Sequence, residues 1–380
     1  MRIAPDSFPI ALRRRPYQRL ACLFSALLLS ICAFAALSSA QTHPAQTRTA
    51  KPHPAPAPAV SDPNHLAIYS VDVEGGQATL FVAPSGASLL VDTGWPGSDG
   101  RDALRILAAM HDAGIARIDH VLITHFHDDH VGGVPELVKR IHVGEFLDHG
   151  VNREDSDATR KNFAAYELAT KGHPRRIVHP GDTISIPGLS IIVLTADGDH
   201  VSAVPGINPA PNAYCGAEPK WPDDPSENAR SVGILVTFDK FRLLDLADLT
   251  GAKEIALVCP VNPIGAVDLY MVTHHGLNLS NSRAVVAAIH PRVAIMNNGA
   301  HKGGSPEAWQ IVHNAPGLED LWQLHTAEDS DAAHNSPTEM IANPAGTAED
   351  GAWLKVAASP DGSFSVTNSR TGQTKHYPRK

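Results

Sequence analysis

Several things that define protein classes are scarce in this sequence. Four cysteines are spread over 380 residues, with no Cys-x-x-Cys pair and no Cys/His finger spacing, which excludes a structural zinc finger. There is no Walker loop, no dinucleotide-binding glycine fingerprint and no Gly-x-Ser-x-Gly elbow. Nucleotide-phosphate, nicotinamide and serine-hydrolase chemistry therefore have no anchor. Basic residues are outnumbered, 31 Lys and Arg against 40 Asp and Glu, for a net charge of −9. The remainder, 43% hydrophobic and 19% charged, is globular in composition and sufficient for one large domain or two modest ones.

The amino terminus differs from the rest. Arg13, Arg14, Arg15 and Arg19 precede an apolar run from Leu20 to Leu37, followed by Ser38-Ser39-Ala40. A basic region, an apolar core and a small-residue exit predict a signal peptide over residues 1–40, cleaved before Gln41. A transmembrane anchor is the alternative, because the run is just long enough to span a bilayer. Ile31 before Cys32 suits a lipid-attachment site poorly. The expectation is an exported chain, periplasmic or secreted, with no membrane span after cleavage. The first 40 residues hold five Arg and one Asp, a net of +4, so the mature chain carries −9 − 4 = −13. That balance disfavours a long nucleic acid as partner, since such binding rests on Lys and Arg displacing counterions. A small-molecule substrate is expected; oligomeric state is not legible. Cys215 and Cys259 remain in the mature chain. One disulfide is conceivable in an exported protein, but the sequence fixes no distance between them, and two free thiols are the favoured expectation.

Residues 41–63, rich in alternating Pro and Ala, read as an extended linker, leaving 64–380 as the folded domain. Three β-like runs, "HLAIYSVDV", "QATLFVAP" and "ASLLVDTG", are separated by turn residues and predict an antiparallel meander. "DALRILAAMHDAG" has helical apolar spacing and a glycine stop. "IDHVLIT" reads as a strand, and "PELVKRI" and "DATRKNFAAYELAT" as helices. The order then repeats. "TISIPG" and "LSIIVLTA" are strands, and a long irregular loop runs from about Asp197 to Asn228. A hairpin of "SVGILVTFD" and "FRLLDLAD", a helix "GAKEIALV" and a strand "VDLYMVTHHG" follow. Strands and helices alternate through "SRAVVAAIH", "RVAIMNNG", "PEAWQIVHN" and "LEDLWQLH", and the tail offers "AWLKVAAS" and "SFSVTNS". Two such halves predict an α/β (α+β) fold in four layers, an αββα sandwich.

The chemistry gathers at "THFHDDHVGG", residues 124–133. His125 and His127 stand at i and i+2 of an extended segment, so both face one way and can reach one ion. Asp129 and His130 lie past the bend and can reach a second. Zinc takes imidazole nitrogen and carboxylate oxygen at about 2.0–2.2 Å. Val131-Gly132-Gly133 lets the chain turn sharply into the next helix. A polar loop would explain one histidine but not His-x-His-x-Asp-His directly after an apolar strand.

The run from His125 to His130 resembles the signature of the metallo-β-lactamase-fold superfamily, and the likeness extends over roughly residues 66–325. Within it, the sequence is most similar to the metallo-β-lactamase-like domain of ComEC-type competence proteins and their stand-alone relatives. The matching stretches are "DVEGGQATLF" (72–81), "LLVDTG" (89–94), Asn228 to Ser231, Ala247-Asp248 and His274-His275-Gly276. The resemblance implies the four-layer sandwich. It also implies Asp92 as a residue orienting the histidines, Asp248 as a carboxylate shared by two metals, and His274 or His275 as the last ligand. Asp245 competes with Asp248 but sits mid-strand. His274, the first residue past "LYMVT", is favoured as ligand, with His275 beside it as a proton donor. The chain departs from the pattern in four places. The opening stretch has a different order of Gly, Gln and acid. The midway histidine of many members is missing, with His200 the one candidate near the right place. Gly-Asp has become Ala-Asp. Ser305 stands where the branch has a late histidine, with His301 close by. Trp221, in the long loop, is read either as a lid over the site or as packing.

These readings imply an exported metal-dependent hydrolase binding two ions. Zn2+ is expected, with Mn2+ or another divalent metal as the alternative. His125, His127 and Asp248 would hold one ion, and Asp129, His130, His274 and the shared Asp248 the other. A metal-bound hydroxide would attack, Asp129 would orient it, and His275 would protonate the leaving group. A phosphodiester or other small ester is the first expected substrate. A β-lactam, lactone or amide is the alternative, and a non-catalytic metal-stabilised binding protein is the reading from another class.

Overall fold

A computed structural model of the chain describes residues 64–217, 219–344 and 351–380. The expected signal peptide and linker, residues 1–63, lie outside the described residues. Among those described, no helix is long and apolar enough to cross a membrane.

Two large sheets carry the fold. From edge to edge, the first runs Thr374–Tyr377, Phe364–Asn368, Leu354–Ala358, Leu66–Ser70, Thr79–Val82, Ser88–Val91, Arg117–Leu122, His142–Asp148 and Arg175–Ile177. The second runs Ile341–Asn343, Asp320–His325, Val293–Met296, Leu269–Met271, Phe241–Asp245, Gly233–Phe238, Leu189–Ala196 and Thr183–Ile186. Each sheet is antiparallel in one part and parallel in the other. The change comes at Ser88–Val91 in the first and at Phe241–Asp245 in the second. Ligand-bearing loops leave the parallel strands at their carboxyl ends.

Strand alternation sorts the side chains into layers. Ile68, Phe81, Leu89 and Leu122 face Val193, Ile234, Leu243, Ile295 and Trp322 in the core between the sheets. The opposite face of the first sheet, with Tyr69, Leu80, Val121 and Phe146, packs on the helices Arg101–Asp112 and Asp157–Ala169 through Ile106, Met110 and Tyr166. The outer face of the second, with Leu235, Leu244, Tyr270 and Ala294, packs on Leu257, Val285 and Trp309, which belong to the helices Gly251–Val258, Arg283–Ala288 and Pro306–His313. The result is the αββα sandwich. Helix starts follow local chemistry: the Ser156 hydroxyl accepts from the Thr159 N–H at 3.2 Å, and Pro306 opens its helix, where a missing N–H costs nothing.

Some elements differ from expectation. The strand His142–Asp148 was not anticipated, because His142, Gly144 and Glu145 interrupt its apolar pattern; pairing along Arg117–Leu122 forms it nonetheless. The helix expected over "PELVKRI" is one turn, Val134–Leu137. The tail pair joins the first sheet, with Leu354–Ala358 antiparallel to Leu66–Ser70, so the last strands close the layer that the first began. Cys215 and Cys259 form a disulfide, against the expectation of free thiols. A two-residue ladder between Ala210–Pro211 and Val261–Asn262 brings the two segments together, which sequence spacing could not reveal.

Candidate metal centre

The site is built at the strand ends from four loops. After Arg117–Leu122 the chain stays extended through His127 (φ −72°, ψ 152°). Alternation turns His125 and His127 to the site and Phe126 into the core, where its ring lies 4.7 Å from Phe163. Asp129 and His130 follow on the short helix Asp128–Val131. Asp248 leaves the second sheet three residues after the strand ending at Asp245. His274 and His275 form a tight turn after Leu269–Met271, and the His274 N–H donates to the Ala247 carbonyl at 2.8 Å. Two glycines permit the close approaches. A side chain on Gly76 would run into the Asp129 carbonyl, and one on Gly303 (φ 81°) into that of His275.

Outer hydrogen bonds fix which ring nitrogen of His125, His127 and His130 faces inward. Thr124 Oγ1 donates to Asp92 Oδ2 at 2.7 Å, so its oxygen accepts from His125 Nδ1 at 3.1 Å, and His125 Nε2 is left as a lone pair. His127 Nε2 donates to Glu154 Oε2 at 2.9 Å, leaving Nδ1 as the inward lone pair. The two inward nitrogens stand 3.1 Å apart. His130 Nδ1 donates to Asp92 Oδ2 at 2.7 Å, and its Nε2 faces Asp129 Oδ2 at 3.1 Å, Asp248 Oδ2 at 3.2 Å and His275 Nε2 at 3.3 Å. His275 Nε2 is also 3.2 Å from Asp129 Oδ2 and 3.3 Å from Asp248 Oδ1. His274 Nε2 lies 3.4 Å from Asp248 Oδ2.

Acceptor facing acceptor at such distances is repulsive unless a proton or a metal cation lies among them. An ion bonded at about 2.0–2.2 Å keeps its ligand atoms up to about 4 Å apart, which these separations satisfy. Asp248 Oδ1 is buried without a hydrogen-bond donor, a costly state for a carboxylate that has no cation to face. The electrostatics agree. Burial opposes a charge on His130, yet Asp248, Asp129 and Asp92 outweigh it and hold its pKa well above 6.5. Burial, with His130 and His127 close by, pushes His125 well below 6.5. Burial pushes His274 down to about 4. The donor set of imidazole nitrogen and carboxylate oxygen therefore fits divalent cations such as zinc.

All the expected ligands converge here: His125, His127, Asp129, His130, Asp248 and His274. His275, expected as an acid, stands in the four-residue group with Asp129, His130 and Asp248, and its neighbour His274 reaches the other oxygen of Asp248. Asp245 is turned away, its carboxylate accepting from Gln77 Nε2 at 2.7 Å and the Ala247 N–H at 3.0 Å. His200 is exposed on a two-residue strand and takes no part. His301 is exposed and paired with Glu328 and Asp329. The Ser305 N–H donates to the Gly276 carbonyl at 2.8 Å. Trp221 packs over Gly251, where a side chain would collide with the indole.

Sequence reading missed Lys302, whose ammonium pairs with Asp129 Oδ2 and lies 4.8 Å from the centre of the Trp95 ring. It also missed Glu154 and Ser280, which meet the outer sides of His127 and His274. Ser231, the end of the matched stretch from Asn228, stands 3.5 Å from His125 Nδ1, and Thr124, adjacent to His125, had a positional signal. Lys302 and Glu154 come from loops distant in sequence.

A four-layer αββα sandwich with a His-x-His-x-Asp-His turn at its strand ends defines a class of metal-site proteins. Residues 71–214 match the model of the metallo-beta-lactamase superfamily. A hydroxyacylglutathione hydrolase from Rhodopseudomonas palustris (strain HaA2) is 31% identical over 109 residues, 28% of this chain and 36% of that protein. Recombination protein 2 of Haemophilus influenzae is 25% identical over 267 residues, 70% of this chain and 27% of that protein. The chain thus spans about a third or less of the length of these relatives. The metallo-beta-lactamase fold protein YhfI from Bacillus subtilis is similar in structure, with TM-score 0.43 and 11% identity, over 68% of this chain and 96% of that one.

Proposed function

We propose that this chain is an exported metal-dependent hydrolase acting on a small anionic ester, a phosphodiester first among them, with two zinc ions. The observation that carries this reading is the inward convergence of imidazole lone pairs and carboxylates on one buried cluster. Bound there, the cations would supply Lewis acidity and lower the pKa of water. The chain's own groups do the rest. Asp92 and Thr124 hold the His130 and His125 rings in register. Asp129, whose carboxylate lies 3.2 Å from His275 Nε2, would orient the attacking water. Lys302 puts a positive charge at the rim, which favours a negatively charged substrate. The hydroxyacylglutathione hydrolase likeness supports hydrolysis, and the likeness to Recombination protein 2 supports the branch read from the sequence. The mature charge of −13 favours small substrates over long nucleic acid. The disulfide supports export, since such bonds persist in oxidising compartments.

Purified protein tested with and without chelator against phosphodiester, β-lactam and lactone reporters decides the substrate class. Chelator-sensitive phosphodiester turnover is expected. Turnover of the β-lactam or lactone alone would move the assignment to that class, and metal binding without any turnover would favour a binding protein. Lys302→Met should lower kcat/KM on the anionic reporter by about 10-fold or more, the order expected for one charged hydrogen bond, and leave neutral lactones nearly unchanged.

A further inference from the structure

Consecutive side chains of an extended strand point to opposite faces, yet His274 and His275 are both buried and both face Asp248. The backbone explains how. Both residues are left-handed, with φ of 56° and 55°, an uncommon state for a residue other than glycine that persists where its surroundings enforce it. The enforcement is visible. The His274 N–H is tied to the Ala247 carbonyl, the Gly304 N–H donates to the His275 carbonyl at 2.9 Å, and the Ser305 N–H donates to the Gly276 carbonyl at 2.8 Å. The turn thus presents two imidazoles to the two oxygens of one carboxylate, His274 Nε2 at 3.4 Å from Oδ2 and His275 Nε2 at 3.3 Å from Oδ1.

The protonation of His274 follows from its outer partner. The Ser280 hydroxyl donates its one proton to the Leu249 carbonyl at 2.8 Å. Its oxygen therefore accepts from His274 Nδ1 at 3.0 Å, and the Nε2 lone pair is directed at Asp248 Oδ2. Among the described residues, the hydrogen-bond donor that faces this lone pair is Asn228 Nδ2, at a long 3.4 Å. Asp248 Oδ2 is also 4.0 Å from His125 Nε2 and 3.2 Å from His130 Nε2, so this oxygen stands among His274, His125 and His130, while His274 lies outside the tight group of Asp129, His130, Asp248 and His275. His275 instead stands against Asp129 and His130.

We propose that His274 and His275 are both ligands, one to each ion. His274 completes the ion held by His125 and His127, taking the place of the midway histidine this sequence lacks, and His275 joins Asp129 and His130 on the other. Asp248 links the two. This rests on the metal-centre reading above but not on any substrate.

The test counts metal rather than turnover. His274→Gln and His275→Gln, alone and combined with His127→Ala or His130→Ala, are equilibrated with buffered zinc, and bound metal is measured by elemental analysis. Wild type should hold two ions and each single variant one. His274→Gln with His127→Ala should still hold one, because both residues serve the same ion, and His274→Gln with His130→Ala should hold none. His275→Gln should show the reverse pairing. His274→Gln retaining two ions, or losing both only when combined with His127→Ala, would overturn the assignment. Proton NMR of cobalt-substituted wild type needs no variant to fold. It should show a shifted exchangeable imidazole N–H for each of His125, His127, His130, His274 and His275, and the lack of one for His274 would also overturn it. A wild type with two ions and no turnover would sink the hydrolase reading while leaving this one intact, whereas a wild type that binds no metal would sink both.

Discussion

Two clusters of histidine and carboxylate occur among the described residues, one of Asp129, His130, Asp248 and His275 and the other of Asp72, Glu74 and His325. Their residue types are alike, and the segment 72–77 joins them, with the Gln77 N–H donating to the Asp129 carbonyl at 3.1 Å. Their charge balance is not alike. In the second cluster, Arg105 reaches Asp72 at 3.0 Å and Glu74 at 3.1 Å, and His325 Nε2 meets Asp72 Oδ1 at 2.7 Å. A guanidinium already stands where a cation would. In the first, Lys302 reaches Asp129 alone, and Asp248 Oδ1 has no donor. Ligand-type residues make a metal site only where the fold withholds a protein cation from them. In the second cluster, the fold supplies one and makes a latch between the first strand's loop and the end of Asp320–His325.

The largest expected effect breaks the first cluster. Asp248→Ala removes the carboxylate that faces His125, His130, His274 and His275, so bound cations would have one anion fewer between them. Activity should fall by several orders of magnitude, as water activation depends on the ions, and elemental analysis should find metal lost. Asp245→Ala, by contrast, should cost stability and keep the metal.

Arg105→Met breaks the second. It strands Asp72 and Glu74 with no guanidinium, and Arg105 is only 5% exposed, so the loss should be about 3–5 kcal/mol, the range for breaking a buried pair. Chemical denaturation measures it. Metal content per folded molecule should not change, and a matching loss of zinc would show that the two clusters are one site.

Protonation separates the carboxylates along the same line. Burial tends to raise the Asp72 pKa, but His325 and Arg105 hold it below 3.8. Its contribution to stability is therefore present above the unfolded value and lost as pH falls below about 4. Asp245 is the opposite case: burial, with Asp92 nearby, pushes it up to about 7. Between about 4 and 7 the folded state holds a proton that the unfolded state has released, so this group's contribution falls as pH rises, by about 1.4 kcal/mol per unit. In chelator-treated protein, wild type should lose stability relative to Asp245→Asn across that window, and a flat difference would contradict the assignment. The smallest effect is expected at His301, whose side chain is 68% exposed. His301→Ala should leave metal content unchanged and shift stability by no more than about 0.5 kcal/mol.

The turn from His125 to His130 was legible because its ligands are consecutive in an extended segment and one helical turn, where spacing alone fixes direction. Asp92, Asp248 and the His274-His275 pair were legible through the superfamily resemblance, as stretches at matching places. The strand His142–Asp148 was not, since its polar residues mask a pattern that a neighbouring strand overrides. Nor was Lys302, whose distance from Asp129 in the chain, 302 against 129, leaves no local trace.

By itself, the sequence determined the layers and the inward-facing groups of the turn from His125 to His130, because apolar periodicity and short-range spacing act within a few residues; Asp248 and the His274-His275 pair came from the resemblance. Only the tertiary structure decided which carboxylate stays without a protein cation, which ring nitrogen of His125, His127, His130 and His274 is the lone pair, that Cys215 meets Cys259, and that adjacent His274 and His275 turn to the same carboxylate. Each of those depends on partners from separate loops, and electrostatic balance is set by what stands within a few ångströms in space rather than by what is near in the chain.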